Sequence, residues 1–107
     1  MNSIKNNKQF NDLVKSGKPF VLDFYADWCG PCQSLLPTVK KLAHEYKGDV
    51  EILKVNVDNQ KDLAAKFLVR SIPALFFMRG NKIYHSAKGM MSETELRKYI
   101  NKLSIKN

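Results

Sequence analysis

The hydrophobic positions of this chain change their spacing along its length, which predicts helices alternating with strands. Phe10, Leu13 and Val14 lie at helical spacing, so we predict a first helix over residues 8–16. An almost continuous apolar and aromatic run over 20–26 follows. Such a run is typical of a strand that is buried on both faces of a sheet.

The middle of the chain repeats this change of spacing. Apolar residues from Leu35 to Tyr46 keep helical spacing, although Pro37 lies inside the pattern and is expected to kink that helix. Residues 51–57 alternate and predict a strand, and a short helix is predicted over 63–67. A strand, a crossover helix and a second strand require a parallel strand pair, so the first half of the chain is predicted to be α/β.

The last third of the chain carries the pattern of a hairpin and a final helix. Strand-like runs over 74–78 and 82–86 are separated by a turn sequence at 79–81, which predicts an antiparallel pair. Ser92 and Glu95 fit the capping-box pattern at the start of a helix with one apolar face. The predicted order is therefore α, β, α, β, α, β, β, α around a mixed sheet.

Length and composition indicate one folded domain. The chain has 107 residues, of which 44% are hydrophobic, and this is enough for a core of its own. We therefore predict a single domain over 1–107. Only two cysteines are present, which argues against a small secreted scaffold held by several disulfides. The sequence has no apolar stretch of the length of a signal peptide or a membrane span, which predicts a soluble, cytoplasmic protein.

A net charge of +8 is the unusual bulk property of the chain. A basic surface can bind nucleic acid or an anionic membrane, or it can serve only solubility and encounter with partners. The sequence has no run of five or more like charges and no basic motif interleaved with aromatic residues. We therefore expect neither nucleic acid nor a membrane as a partner.

The main chemical signal is the segment Trp28-Cys29-Gly30-Pro31-Cys32, which lies between the first buried strand and the following helix. Unpaired backbone N–H groups and the helix dipole stabilise a thiolate at a helix N-terminus, so the pKa of Cys29 is expected to fall. The spacing brings the two sulfurs close enough to form or break a disulfide with little backbone movement. Pro31 is tolerated because the first helical turn needs no internal N–H bond.

Three other roles for the cysteine pair fit the sequence less well. A zinc site needs about four ligands, and the other candidates are His44 in a predicted helix and His85 in the predicted hairpin. A structural disulfide that closes so short a loop restrains little of the unfolded chain. Two inert buried thiols would not need a Gly-Pro pair between them. A redox-active pair between a strand and a helix fits best.

Three segments resemble the thioredoxin family. Residues 23–32, Asp-Phe-Tyr-Ala-Asp-Trp-Cys-Gly-Pro-Cys, are similar to the family's active-site segment, and residues 70–73, Arg-Ser-Ile-Pro, resemble its second signature. Lys88-Gly89 before the last helix is similar to a third, substrate-binding stretch. The resemblance covers essentially the whole chain. It implies a three-layer α/β fold, with a mixed central sheet and helices on both faces, and a thiol–disulfide oxidoreductase that reduces disulfides in other proteins.

The resemblance implies a catalytic role for Cys29, Cys32, Asp23 and Lys54. Cys29 would attack a substrate disulfide, and Cys32 would then attack Cys29 to release the reduced substrate. Asp23 would lie behind the second cysteine as a proton acceptor with a raised pKa, and Lys54 would be its partner. The sequence alone leaves open that Asp23 is half-exposed and that Lys54 points outward from an alternating strand.

A substrate-binding surface is also implied beside Cys29. Ile72–Pro73 resembles the family's cis peptide bond, which faces the cysteines and lets the preceding backbone pair with an extended substrate. The residues implied at this surface are Trp28, Gly30, Pro31, Ile72, Pro73 and Gly89, with Val57 and Met90 as further candidates. Met90 and Met91 could widen the apolar surface or pack under the last helix.

The resemblance further implies the partners of the reaction. Disulfide-containing proteins would be the substrates, and a thioredoxin reductase that draws on NADPH would return the electrons. We expect no metal, no organic cofactor and a monomeric protein. Within the same fold, dedicated oxidants and isomerases commonly carry a histidine between the cysteines, whereas Gly-Pro resembles the reductants. The alternative from another class is a binding module whose cysteines are incidental.

Overall fold

The computed structural model describes residues 1–104, and these form alternating strands and helices. In chain order the elements are β1 (Asn2–Ser3), α1 (Asn7–Ser16), β2 (Pro19–Tyr25), α2 (Gly30–Glu45), β3 (Glu51–Asn56), α3 (Lys61–Lys66), β4 (Ala74–Arg79), β5 (Lys82–Lys88) and α4 (Glu93–Ser104). No helix in this part of the chain is both long and apolar enough to cross a membrane. The last three residues of the predicted domain, 105–107, lie outside the described residues.

The strands form one mixed sheet in the order β1-β3-β2-β4-β5. β3 lies parallel to both β1 and β2, whereas β4 lies antiparallel to both β2 and β5. The predicted parallel pair and the predicted hairpin are both confirmed. Because β2 and β3 run in the same direction, their carboxyl ends meet at one edge of the sheet. That edge carries the cysteines.

Helices cover both faces of the sheet. On one face α2 and α4 pack through buried side chains such as Leu42 and Ile100 against Phe77 of the sheet. On the other face α1 and α3 pack through Phe10 and Leu63. Full burial of each such side chain contributes about 1.5–3 kcal/mol before conformational entropy is subtracted. The result is the three-layer α/β fold that the resemblance implied.

Local signals in the sequence account for the helix ends. Asn6 caps α1 by accepting a hydrogen bond from the backbone N–H of Gln9, at 2.9 Å. Gly17 ends α1 in the left-handed conformation, with φ of 71°. At the start of α4 the backbone N–H of Glu95 donates to Ser92 Oγ at 3.1 Å, and the Ser92 N–H donates to Glu95 Oε1 at 3.2 Å. The predicted capping box is confirmed.

The hydrophobic pattern predicts no element before the first helix, and this prediction is wrong. Asn2 pairs with Leu53 and Ser3 pairs with Lys54, so β1 extends the sheet beyond β3. The strand consists of two polar residues at the sheet edge. Backbone pairing defines it, and backbone pairing leaves no hydrophobic period in a sequence.

Candidate active site

Cys29 and Cys32 lie at the junction between β2 and α2. Cys29 is the N-cap residue of α2, with extended backbone angles. The backbone N–H of Cys32 donates to Cys29 Sγ at 3.2 Å, as an N–H group of the first turn would donate to a capping oxygen. Pro31 lies in that first turn, where its missing N–H costs nothing. The same N–H group would stabilise a thiolate on Cys29 after reduction.

The two cysteines are joined by a disulfide, and their Cα atoms are 5.3 Å apart. Both cysteines are buried, whereas Gly30 and Pro31 between them are exposed. The cysteines form a buried cluster with Ala26, and the partly buried residues packed against this cluster are Tyr25, Val57 and Ile72. The disulfide therefore has apolar neighbours on the protein side and exposed backbone at its rim.

Three segments that are distant in sequence converge beside Cys29. Its sulfur lies 3.8 Å from the carbonyl oxygen of Ile72. The Ile72–Pro73 peptide bond is cis, as expected from the resemblance. The backbone N–H of Gly89 donates to the carbonyl oxygen of Pro73 at 2.7 Å, and Gly89 has a φ of 81° that favours glycine. The contacts join the cysteine loop, the cis peptide and the end of β5 in one place.

Asp23 is a carboxylic acid in the core of the sheet. It is 2% exposed and lies in β2 on the same face as Val21, which is the face that α2 covers. Burial raises the pKa of Asp23 from 3.8 to about 7, and the positive charge of Lys54 opposes part of that rise. The expected burial and the expected direction of the pKa shift are both confirmed.

Lys54 lies next to Asp23 across the parallel pair of β2 and β3, where the two residues are register partners. Lys54 is half-buried, and its Nζ lies 5.4 Å from the centre of the Tyr25 ring. Within residues 1–104, Asp23 Oδ1 is buried without a hydrogen-bond partner. Lys54 therefore acts on the pKa of Asp23 through space.

Trp28 is the exposed aromatic residue of the site. Its side chain is 71% exposed, and its indole Nε1–H donates to Asp58 Oδ2 at 2.9 Å. Asp58 is a site residue that was not predicted from the sequence. The signal that could have found it is topological, because Asp58 follows β3 as Trp28 follows β2, and parallel strands end at the same edge of the sheet.

The remaining residues of the implied substrate surface differ in their exposure. Ile72 is half-buried, and Pro73 is buried. Met90 is exposed directly after Gly89, whereas Met91 packs in the core cluster formed with α4. Packing under the last helix therefore applies to Met91, whereas Met90 remains a candidate for the apolar substrate surface.

The histidines of the zinc alternative lie apart from the cysteines in the fold. His44 is exposed on α2, and His85 on β5 stacks on Tyr99 with ring centres 3.5 Å apart. Across the 104 residues that the structure describes, no three His, Cys, Asp or Glu side chains are grouped to hold a metal ion.

Known proteins resemble this chain in sequence over most of its length. The family model described as Thioredoxin matches residues 2–102. Thioredoxin 1 of Chlorobaculum tepidum is 42% identical over 91 residues, which is 84% of this chain and 90% of that protein. The thioredoxin of Haemophilus influenzae is 40% identical over 89 residues, which is 83% of each chain.

Solved structures also superpose closely on the fold of this chain. A thioredoxin from Malassezia sympodialis superposes with a TM-score of 0.88 and 30% identity, covering 97% of this chain and 90% of that one. A mutant thioredoxin from Halobacterium salinarum gives a TM-score of 0.87 at 30% identity, covering 96% of this chain and 89% of that one. The likeness therefore extends over the sheet, the helices and the cysteine loop together.

Proposed function

Since this chain belongs to the thioredoxin family, we propose separate roles for its two cysteines. The protein is a thiol–disulfide oxidoreductase that reduces disulfides in other proteins. Cys29 is the nucleophile, and Cys32 is the resolving thiol. The observation that carries this division is the hydrogen bond from the Cys32 N–H to Cys29 Sγ at the start of α2. Only the sulfur that accepts this bond, at the positive end of the helix, gains its stabilisation as a thiolate.

The reaction passes through one mixed disulfide. The Cys29 thiolate attacks one sulfur of a substrate disulfide, a new S–S bond forms, and the other substrate sulfur leaves as a thiolate. Cys32 then attacks Cys29 Sγ, which displaces the second substrate thiolate and forms the Cys29–Cys32 disulfide present in this structure. Two electrons pass to the substrate in each cycle.

Asp23 is the proposed proton acceptor for the resolving step. Cys32 must lose its thiol proton to attack, and a general base works best when its pKa lies near the working pH. Burial gives Asp23 a pKa of about 7, from which we infer that it can take up and release a proton near neutral pH. Lys54 is a positioning residue in this proposal, because its charge keeps the pKa of Asp23 from rising further.

The substrate chain is proposed to lie across the cis peptide. The carbonyl oxygen of Ile72 is 3.8 Å from Cys29 Sγ, so backbone that pairs with Ile72 brings a disulfide close to the nucleophile. Trp28 and Gly89 flank this position, and Gly30 and Pro31 leave the rim open. The shallow surface suits many protein substrates with weak individual affinity.

We further propose a single domain over 1–107 that acts as a monomer in the cytoplasm. A disulfide reductase needs a continual supply of electrons, which a reducing compartment provides. A thioredoxin reductase using NADPH is the proposed donor, which would place the protein in electron transport and cell redox homeostasis. No other cofactor is needed for the exchange itself.

Two measurements test the proposed function. Reduction of insulin, followed by the turbidity of its released chains, should proceed with dithiothreitol as the electron source. The reduction potential of the Cys29–Cys32 pair should be about −270 mV, as in a reductant, and not about −120 mV, as in a strong oxidant. Absence of insulin reduction, or a potential in the oxidant range, would reject the proposal.

A further inference from the structure

The methionines of this chain differ widely in exposure. Met78 is 2% exposed and Met91 is 8% exposed, whereas Met1 is 37% exposed and Met90 is 56% exposed. Met90 and Met91 are neighbours, yet only Met91 belongs to the apolar core. Peroxide reacts with a methionine sulfur that it can reach. Met90 is therefore the most accessible methionine among the described residues, and Met91 is an internal reference.

The position of Met90 connects it to the reacting sulfur through a short series of contacts. The residue before it, Gly89, donates its N–H to the Pro73 carbonyl oxygen at 2.7 Å. The adjoining Ile72 carbonyl oxygen lies 3.8 Å from Cys29 Sγ. The backbone next to Met90 is thus fixed to the cis peptide, while its side chain reaches solvent. Because Met90 directly follows Gly89, a protein that docks over Ile72 and Gly89 is expected to reach this side chain.

We propose that Met90 is an oxidation site that weakens the docking of protein substrates when it becomes methionine sulfoxide. This inference rests on the proposed function, because it assumes that substrates dock beside Cys29. The oxidant is hydrogen peroxide. Its O–O bond breaks, one oxygen atom forms the S=O bond of the sulfoxide, and water leaves, so the methionine sulfur loses two electrons and the peroxide gains them.

The modification changes binding and leaves the exchange chemistry alone. A thioether is flexible and apolar, and it adapts to varied apolar partners. A sulfoxide is polar, so burying it against an apolar substrate surface costs free energy that the thioether did not cost. Met90 contributes no atom to the exchange at Cys29, so a small disulfide that does not cover it should react as before. Methionine sulfoxide reductases can reverse the modification.

The experiment oxidises the protein in its disulfide form, in which neither cysteine has a thiolate for peroxide to attack. Peptide mapping by mass spectrometry locates the added oxygen, and the peroxide is then removed. The KM for insulin and the rate with a small neutral disulfide are measured with dithiothreitol as the electron source. We expect sulfoxide to form at Met90 before Met91 and the rate with the small disulfide to stay unchanged. The insulin KM should rise about fivefold, a change that matches the free energy of partly burying one methionine side chain.

Two variants separate this effect from general damage. Met90→Leu should show the same insulin KM before and after peroxide, because the oxidisable sulfur is gone. Met90→Gln, which places a polar group there without peroxide, should raise the insulin KM of the untreated protein. The inference is overturned if Met90 stays unmodified while Met91 reacts, if the sulfoxide leaves the insulin KM unchanged, or if Met90→Leu is equally sensitive. Failure of the untreated protein to reduce the small disulfide would instead reject the proposed function.

Discussion

Acidic side chains have opposite environments in two regions of the molecule, the cysteine end of the sheet and the surface between α2 and α4. At the cysteine end, the Asp23 carboxyl group is buried, and its Oδ1 has no hydrogen-bond partner in the described part of the chain. Between α2 and α4, the carboxylates of Glu45 and Glu93 reach solvent and both pair with Arg97, at 2.7 and 2.9 Å. These bonds lower the pKa of both glutamates and raise the pKa of Arg97.

The two regions differ in their effect on the free energy of folding. A buried acid opposes folding once it ionises, whereas an exposed ion pair contributes little in either direction. The cysteine end also exposes Trp28, which the usual distribution of side chains would bury in part. Residues that break the usual pattern of burial are expected at functional sites, because the chemistry of the site determines which residue type is needed there. Substitutions at four places in the structure test this contrast.

Removing a cysteine sulfur has the largest expected effect. Cys29→Ser should abolish insulin reduction, because no nucleophile remains at the helix N-terminus. Cys32→Ser should instead accumulate a covalent mixed disulfide with the substrate, since attack occurs and resolution does not. Non-reducing electrophoresis and intact mass spectrometry distinguish the two outcomes. Equal trapping by both variants, or full turnover in either, would contradict the assigned roles.

Asp23→Asn should stabilise the protein in a pH-dependent way. The pKa of Asp23 is 3.8 unfolded and about 7 folded, so ionisation opposes folding. The penalty is absent below the unfolded pKa, grows as pH rises, and becomes constant above the folded pKa. The variant should therefore gain up to about 4 kcal/mol relative to the wild type across this range. Denaturant unfolding of the disulfide forms at several pH values measures the gain.

The same substitution should slow resolution of the mixed disulfide. At neutral pH we expect a loss on the order of tenfold, because the Cys32 thiol loses its proton acceptor. The loss should narrow at high pH, where the thiol ionises without help. Single-turnover reduction kinetics report this step. A stability difference that is constant with pH would mean that Asp23 is solvated, and an unchanged resolution rate would remove its proposed role.

Lys54→Met should shift the pH dependence of stability and of the resolution rate to higher pH without changing the shape of either curve. The charge of Lys54 lowers the pKa of Asp23, so removing that charge raises the pKa above about 7. The stability penalty of Asp23 should then continue to grow to higher pH, and the pH–rate profile of resolution should shift upward with it. Lys18→Met is the matched control, because Lys18 is an exposed lysine before the other end of β2. An equal shift in the control would assign the effect to net charge.

Arg97→Gln should have the smallest effect among these changes. It breaks the pairs with Glu45 and Glu93 at a solvent-exposed surface, so we expect a slight loss of stability that shrinks as salt is added. Insulin reduction should stay unchanged. The matched control is Lys98→Gln, which removes one charge from the same helix, and Lys98 forms no ion pair within residues 1–104. A large loss of stability, or a loss of activity, would mean that this surface is coupled to the site.

Much of the fold followed from local signals in the sequence. The apolar run of β2 was readable because both of its faces are buried. The Ser92–Glu95 capping box was readable because its two hydrogen bonds join residues that are close in sequence. β1 was not readable, because its two polar residues are held by backbone pairing with β3. The Trp28–Asp58 hydrogen bond was also not predicted, because it joins two loops that meet only at the edge of the sheet.

The sequence by itself determined the alternation of elements, the position of Cys29 and Cys32 at a strand-to-helix junction, and the class of chemistry they perform. These features depend on residue type and short spacing, which a linear sequence records directly. Tertiary structure decided the burial of Asp23, the approach of Ile72 to Cys29, and the different environments of Met90 and Met91. Each of these depends on contacts between segments that are distant along the chain. Packing brings such segments together, and packing is a property of the whole fold.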